Sequence, residues 1–480
     1  MWFAARAANG FRMNETILYL LSVCNEAVGA PLFSDTLCLL MQCILSLFLV
    51  IRNLVIRKGR NIYAFLISIV MLGLVQGQIV WIFVTYGDLN GEVIHLLQVL
   101  SMDAVRVGNA YCLVVTCIIF YGLMRRRHFN ALPKEEVKSV VSQRNSLGAE
   151  LALWAWIVLA AATLIYILGG VRFLFLSAGG DVRGQAAVLV ALSIGKLPFL
   201  GRLVRRERAR FSEIAMAVFC MCIIMLRSRF MAAFILIQFV VAYHYIYREI
   251  GWKLACTFFV SMVLIFFAYG LYREYSGISG GELSVAAWSD FIRAFDAQVT
   301  IDWFYGFNVE GFTGFAGILT ADMSGQPIVH DFGVSSVGAV MQFIPGKLRV
   351  DNALAFGQMT DWFSSFTPYV GSIVPPGLQQ AYGHFGILGV FGLAWVIGCL
   401  GSKCDLWMRD YRVNRLLIVL ISVHILLLIR GTFIGAVFFA VGEIAIFTVF
   451  RFLETISSVS NRPTRIRNSV LKLKDAMSGV

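Results

Sequence analysis

The chain has 480 residues, of which 59% are hydrophobic and only 14% charged, with a mean hydropathy of +0.77 and a formal net charge of +12. So little charge excludes a soluble globular protein of this length, which would have to expose far more. The basic surplus does not point to nucleic acid, because most of it sits in short connections between long apolar runs.

Apolar segments of roughly 20 residues follow one another, the pattern of a multi-pass helical membrane protein. Spans are expected near 32–51, 62–86, 94–123, 151–169, 186–201, 211–226, 230–247, 252–272, 377–401, 414–428 and 432–450, about eleven in all. Residues 14–24 are expected as an interfacial helix, and no cleavable signal peptide is expected. The ten cysteines form no C-x-x-C pair, and most lie in apolar runs, where they read as small hydrophobes. The fold class is therefore all-α and polytopic, with residues 1–480 forming a single transmembrane unit.

Loop charge orients the spans. The connections 52–60, 124–150, 202–210, 248–253 and 403–415, together with the tail 451–480, carry 27 of the 40 Lys and Arg residues. The long segment 273–375 instead holds ten acidic and four basic residues. By the positive-inside rule the basic set faces the cytoplasm and 273–375 forms a large external loop. The tail 451–480 is expected as a loosely ordered basic cytoplasmic segment.

Two places break the rule. Between Ile214 and Tyr247 the only formal charges are Arg227 and Arg229, in IIMLRSRFMAAF. The run is too long for one ordinary span, so it must turn at that RSR, on the external side. Arg430, in LLLIRGTFIGAVFF, has the same placement between the last two spans. In both, an arginine precedes a hydroxyl residue and a Phe that opens a helix. Ser228 and Thr432 are suited to N-caps, and guanidinium groups beside helix N-termini suit phosphate oxygens. The plain alternative is an arginine snorkelling to the interface or a structural ion pair.

The external segment 273–375 is rich in glycine and aromatic residues and is expected as short helices lying on or partly in the membrane. Within it, His330 and Asp331 are adjacent, and a histidine there is suited to act as general base toward a hydroxyl. The alternative is a hydrogen-bonded loop histidine. Arg273, Lys347, Arg349 and, at the start of a later span, His384 are candidates for secondary substrate contacts. Asp103 and Arg106 are three apart and read as a structural pair on one helix face. No metal-ligand spacing, Walker loop or dinucleotide fingerprint is present, so neither a metal nor a cofactor is expected.

Several stretches resemble bacterial Wzy-type oligosaccharide repeat-unit polymerases. They are LRSRF followed by a span ending in VVAYHYIYRE, the loop stretch MQFIPGKLRVDNA, and GSIVPPGLQQAYGHFGILGVFGLAWVIGCLG. The resemblance implies a metal-independent membrane glycosyltransferase of GT-C-like helical fold in the bacterial inner membrane. Its substrates would be undecaprenyl-diphosphate-linked oligosaccharides used at the periplasmic face, and a chain-length regulator would be a further partner. Diphosphate binding would fall to Arg227 and Arg229 by motif position and to Arg430 by its external turn. Two alternatives share the layout: an O-antigen-type ligase using the same donor, and a flippase or transporter for the lipid-linked oligosaccharide.

Overall fold

The computed structural model describes residues 33–56, 61–86, 92–95, 98–125, 194–205, 210–227, 229–246, 250–261, 311–326, 377–409, 414–430 and 433–460, with a few isolated positions besides. The expected span 151–169, the later part of 252–272 and the tail beyond Ser460 lie outside them. The chain divides into two compact units. The first comprises Met1–His128, Glu249–Arg409 and Ser422–Phe438; the second comprises Phe129–Arg248, Asp410–Ile421 and Phe439–Val480.

In the first unit, α1 (Phe33–Ile51) runs into a short π-helical turn, Arg52–Ile56. Next comes a continuous rod, Ile62–Tyr86, built from α2 (Ile62–Val70), a π-helical stretch (Met71–Gln76) and α3 (Gly77–Tyr86). Asn61 caps α2 by accepting from the Ala64 N–H at 3.0 Å. The span expected at 94–123 begins later. Residues before it form an antiparallel hairpin, β1 (Glu92–His95) with β2 (Gln98–Ser101), and α4 is Met102–Met124. An apolar run that includes Val93, Ile94, Val99 and Leu100 is as good a strand as a helix by hydropathy alone, which is why its boundary was misplaced.

The span expected at 377–401 is two helices, α9 (Gly377–Phe385) and α10 (Ile387–Arg409). Gly386, at φ +64°, ends α9 by donating to Tyr382 O at 2.7 Å, and its own carbonyl accepts from Gly389 N at 3.0 Å. The reversal is sharp enough that a Cβ on Gly389 would meet Ala381 O at 2.2 Å. Earlier in sequence, α8 (Phe312–Met323) is the helix described within the 273–375 segment. It does not lie on the surface: Phe312, Phe315, Ile318 and Leu319 are fully buried.

The centre of the first unit is the contact of α4 with α10. Gly122 and Gly398 meet backbone to backbone; a Cβ on Gly398 would sit 2.9 Å from Ile119 O and one on Gly122 2.9 Å from the Gly398 backbone. Close approach of this kind, between small residues, is how helices gain dispersion contact where lipid removes the hydrophobic drive.

The second unit contains α5 (Leu197–Arg205), preceded by the 3-10 turn Ile194–Lys196, then α6 (Phe211–Arg227), α7 (Arg229–Ile246), most of α11 (Arg415–Ser422) and most of the last helix. Of the expected span 186–201, residues 194–201 are described, as a tight turn and the first part of the nine-residue α5, and residues 186–193 lie outside the described residues. Pro198 explains the turn, since it has no N–H to return to Ile194 O. Val423–Leu426 is a 3-10 turn leading to α12 (Leu427–Arg430). The last helix, α13 (Phe433–Ser460), continues past the expected end at 450.

Among the described residues, three helices are long and apolar enough to cross a membrane: Ile62–Tyr86, Met102–Met124 and Ile387–Arg409. Two other helices, α1 and α13, are inside-out relative to a water-soluble protein. Along α1, Leu37, Ile44, Leu47 and Ile51 are exposed, while Asp35, Gln42 and Ser46 are buried. Along α13, Val441 and Ile444 are exposed and Glu443 is buried. Water would penalise both choices; a hydrocarbon surround rewards both.

Candidate functional site

The helix break expected at Arg227-Ser228-Arg229 falls there: α6 ends on Arg227 and α7 begins on Arg229. Both helices lean on α5, where Phe199 meets Phe239 edge-on with ring centroids 5.0 Å apart. The second expected break also has its place. Arg430 ends α12, is half-buried, and three residues later Phe433 opens α13. Arg227 and Arg229 belong to the second unit and Arg430 to the first. His330, Asp331, Arg273, Lys347 and Arg349 lie outside the described residues.

His384 is described, and it is buried near the end of α9 together with Gln379 and Gln380. This helix is a polar element sunk in the first unit. Its opening glycine, Gly377, touches α12 so closely that a Cβ would lie 1.9 Å from Leu428 O, so α9 and the segment carrying Arg430 are locked together. Its far side meets α8. The Tyr382 hydroxyl donates to Asp322 Oδ2 at 2.5 Å, and the Tyr382 ring meets Phe315 edge-on with centroids 5.9 Å apart. Phe315 in turn lies against Tyr111 of α4. The glycine-rich stretch GLQQAYGHFG, singled out as a span edge, thus folds into a short buried helix that joins α8, α10 and α12.

The start of α8 is held from a distance. Gln78 Oε1 on α3 accepts from the Thr313 N–H at 3.0 Å and from the Thr313 hydroxyl at 3.2 Å. Asp322, at the other end of α8, is followed by a glycine cap: Gly325 at φ +78°, with Gln326 N donating to Ala321 O and Gly325 N to Asp322 O.

Two polar clusters were not expected from the sequence. In the first unit, Gln42 Nε2 donates to Asn109 Oδ1 at 2.8 Å and to Asn109 O at 3.1 Å; Gln76 Nε2 donates to Ser46 Oγ at 2.8 Å; Asn109 Nδ2 donates to Asp35 O at 2.8 Å. Arg106 takes up Asp103 within its helix at 3.4 Å, as expected, and also reaches Asp35 on α1 at 3.3 Å. In the second unit, the Lys196 ammonium pairs with Glu443, and Gln238 Nε2 donates to Glu443 Oε1 at 3.3 Å and Leu420 O at 3.0 Å. Arg202 pairs with Glu213 at 2.6 Å, and Glu213 also accepts from the Arg210 N–H. A single acidic residue inside the apolar stretch AVFFAVGEIAIFTVF was the signal for the second cluster: a carboxylate at that depth needs a partner. Its partner, 247 positions away, carries no local mark.

Among the described residues no group of three or more His, Cys, Asp or Glu side chains has the arrangement of a metal site. No protein-family model, no curated protein sequence and no solved structure matches the chain.

Proposed function

We propose that this chain is a membrane glycosyltransferase that polymerises undecaprenyl-diphosphate-linked oligosaccharide repeat units at the periplasmic face of the bacterial inner membrane. In this reading it spans the membrane about eleven times, and Arg227, Arg229 and Arg430 hold the lipid diphosphate. The observation that carries it is the position of those arginines at helix breaks: the chain stops one helix on Arg227, restarts on Arg229, and stops another on Arg430 just before the last helix. The helix N-termini that open at Arg229 and Phe433 present unpaired N–H donors and partial positive charge, and a guanidinium beside them adds two-pronged donors for phosphate oxygens.

The chemistry asks for such groups. When the glycosidic bond to a lipid diphosphate breaks, the departing diphosphate gains negative charge. Fixed cations at the membrane boundary stabilise that charge most in the transition state, which is where stabilisation accelerates the reaction. The acceptor is a hydroxyl of the next repeat unit, and His330, with Asp331 beside it, takes its proton in this proposal. Arg273, Lys347, Arg349 and His384 supply secondary contacts.

The test is a glycan ladder from cells expressing Arg227→Ala, Arg229→Ala or Arg430→Ala. Loss of long chains at unchanged protein level is expected; a normal ladder from all three would end the proposal. Deleting the gene separates the related activities. A polymerase leaves single lipid-linked repeats at the periplasmic face, a ligase leaves long lipid-linked chains, and a flippase strands the repeat on the cytoplasmic face.

A further inference from the structure

We propose that Lys196, Gln238 and Glu443 form a hydroxyl-binding site inside the second unit, with the Lys196 ammonium as donor and Glu443 Oε2 and Gln238 Oε1 as acceptors. The three side chains come from the turn before α5, from α7 and from α13, and they are 2%, 0% and 5% exposed. Their placement is built in. Gly195 lies against Cys220 of α6, where a Cβ would come within 2.4 Å of the sulfur, so the turn carrying Lys196 is pressed into the unit.

Hydrogen-bond accounting defines what fits. The orientation of Gln238 is set because its NH2 group faces two acceptors, Leu420 O and Glu443 Oε1. Its Oε1 therefore points elsewhere, and it has no partner among the described residues; neither has Glu443 Oε2. The Lys196 ammonium has three hydrogens, and Glu443 is its described partner. Two donor hydrogens on Lys196 and two acceptor oxygens, one on Glu443 and one on Gln238, are thus left unmet by the described residues, in an interior where each unmet group costs about 1–3 kcal/mol.

A second cation would be repelled by Lys196 and an anion by Glu443. An apolar group would meet none of the four demands. A neutral O–H group fits: its oxygen takes hydrogens from Lys196 and it donates to Glu443 Oε2 or Gln238 Oε1, serving one of these acceptors if it is a sugar hydroxyl with its single hydrogen and both if it is water with its two. That is a hydroxyl. It comes either from bound water or from a sugar, and the sugar source rests on the function proposed above, whereas the water source does not.

Infrared difference spectroscopy on the full chain in lipid nanodiscs distinguishes them. The Glu443 carboxylate band is assigned by its loss in Glu443→Gln. If the occupant is water, an O–H stretch shifts on transfer to 18O-labelled water in the wild type and is lost in Glu443→Gln and in Lys196→Met. If it is a sugar hydroxyl, titration with methyl glucoside or methyl galactoside shifts the carboxylate band saturably. Gln238→Leu keeps the ion pair and guards against misfolding; it should shift the same signals without removing the carboxylate band. Silence in both arms overturns the site, as does a wild-type spectrum with Glu443 protonated. A water signal with no glycoside response supports the site and separates it from the polymerase reading.

Discussion

The two units tie their helices together with different chemistry. In the first, the buried crosslinks between α1, the π-helical stretch before α3, and α4 are mainly neutral amides and a hydroxyl: Gln42 with Asn109, Gln76 with Ser46. Its cross-helix charge pair, Arg106 with Asp35, sits at the helix ends where Arg106 remains 22% exposed. In the second, the crosslinks are charges, and Lys196 with Glu443 is almost entirely enclosed. Neutral amides can be buried at small cost once bonded, because they carry no net charge to desolvate. A buried ion pair costs several kcal/mol to desolvate and is often replaceable by well-packed apolar residues without loss. The first kind of linkage is adequate for holding helices together. The second is expensive for that purpose alone.

The contrast breaks most visibly at the ion pair. Glu443→Leu leaves the Lys196 ammonium buried and unpaired, and the loss expected is about 3–5 kcal/mol, read as a fall in thermal midpoint in detergent. The double variant Lys196→Met with Glu443→Leu should recover most of that loss. If the single and double variants fall equally, charge is not what links these elements.

A smaller effect is expected at the backbone contact of the first unit. Gly398→Leu must push α4 and α10 apart, at about 1–3 kcal/mol, and the fluorescence of Trp395, stacked on Tyr121 across the same contact with ring centroids 5.9 Å apart, should report the separation. Smaller again is the amide link. Gln42→Leu removes the donor to Asn109 and should cost about 1 kcal/mol. The smallest change is on the outer face of α1, where Leu47→Ala should alter stability by less than about 0.5 kcal/mol in nanodiscs. Were Leu47→Ala more damaging than Gln42→Leu, the assignment of inner and outer faces on α1 would be reversed.

Much of this was legible in the chain, for reasons specific to each element. The rod Ile62–Tyr86 matches the expected span because a long uninterrupted apolar run has few other folds open to it. The break at Arg227–Arg229 was legible because two charges in a long apolar run are the cheapest place to stop a helix. Other elements were hidden. Averaged hydropathy across 377–401 registers apolar content and misses one residue at positive φ, so Gly386 disappeared into a single span. The sequence DMSGQP after α8 did carry a local signal, a glycine followed by proline two residues later, which marks a helix end. Gln42, Gln76 and Asn109 looked like isolated polar residues in apolar runs; only the packing of three separate elements makes them partners. For the candidate site, the arginine positions at helix ends were legible from the sequence.

The cap that Gln78 places on Thr313 joins residues 235 positions apart. During synthesis, therefore, the first turn of α8 cannot complete its bonding until α3 is already in place. That bond makes the Phe312–Met323 segment depend on the amino-terminal rod, so a chain lacking the rod should leave that segment open to proteases even though every residue of it is still present.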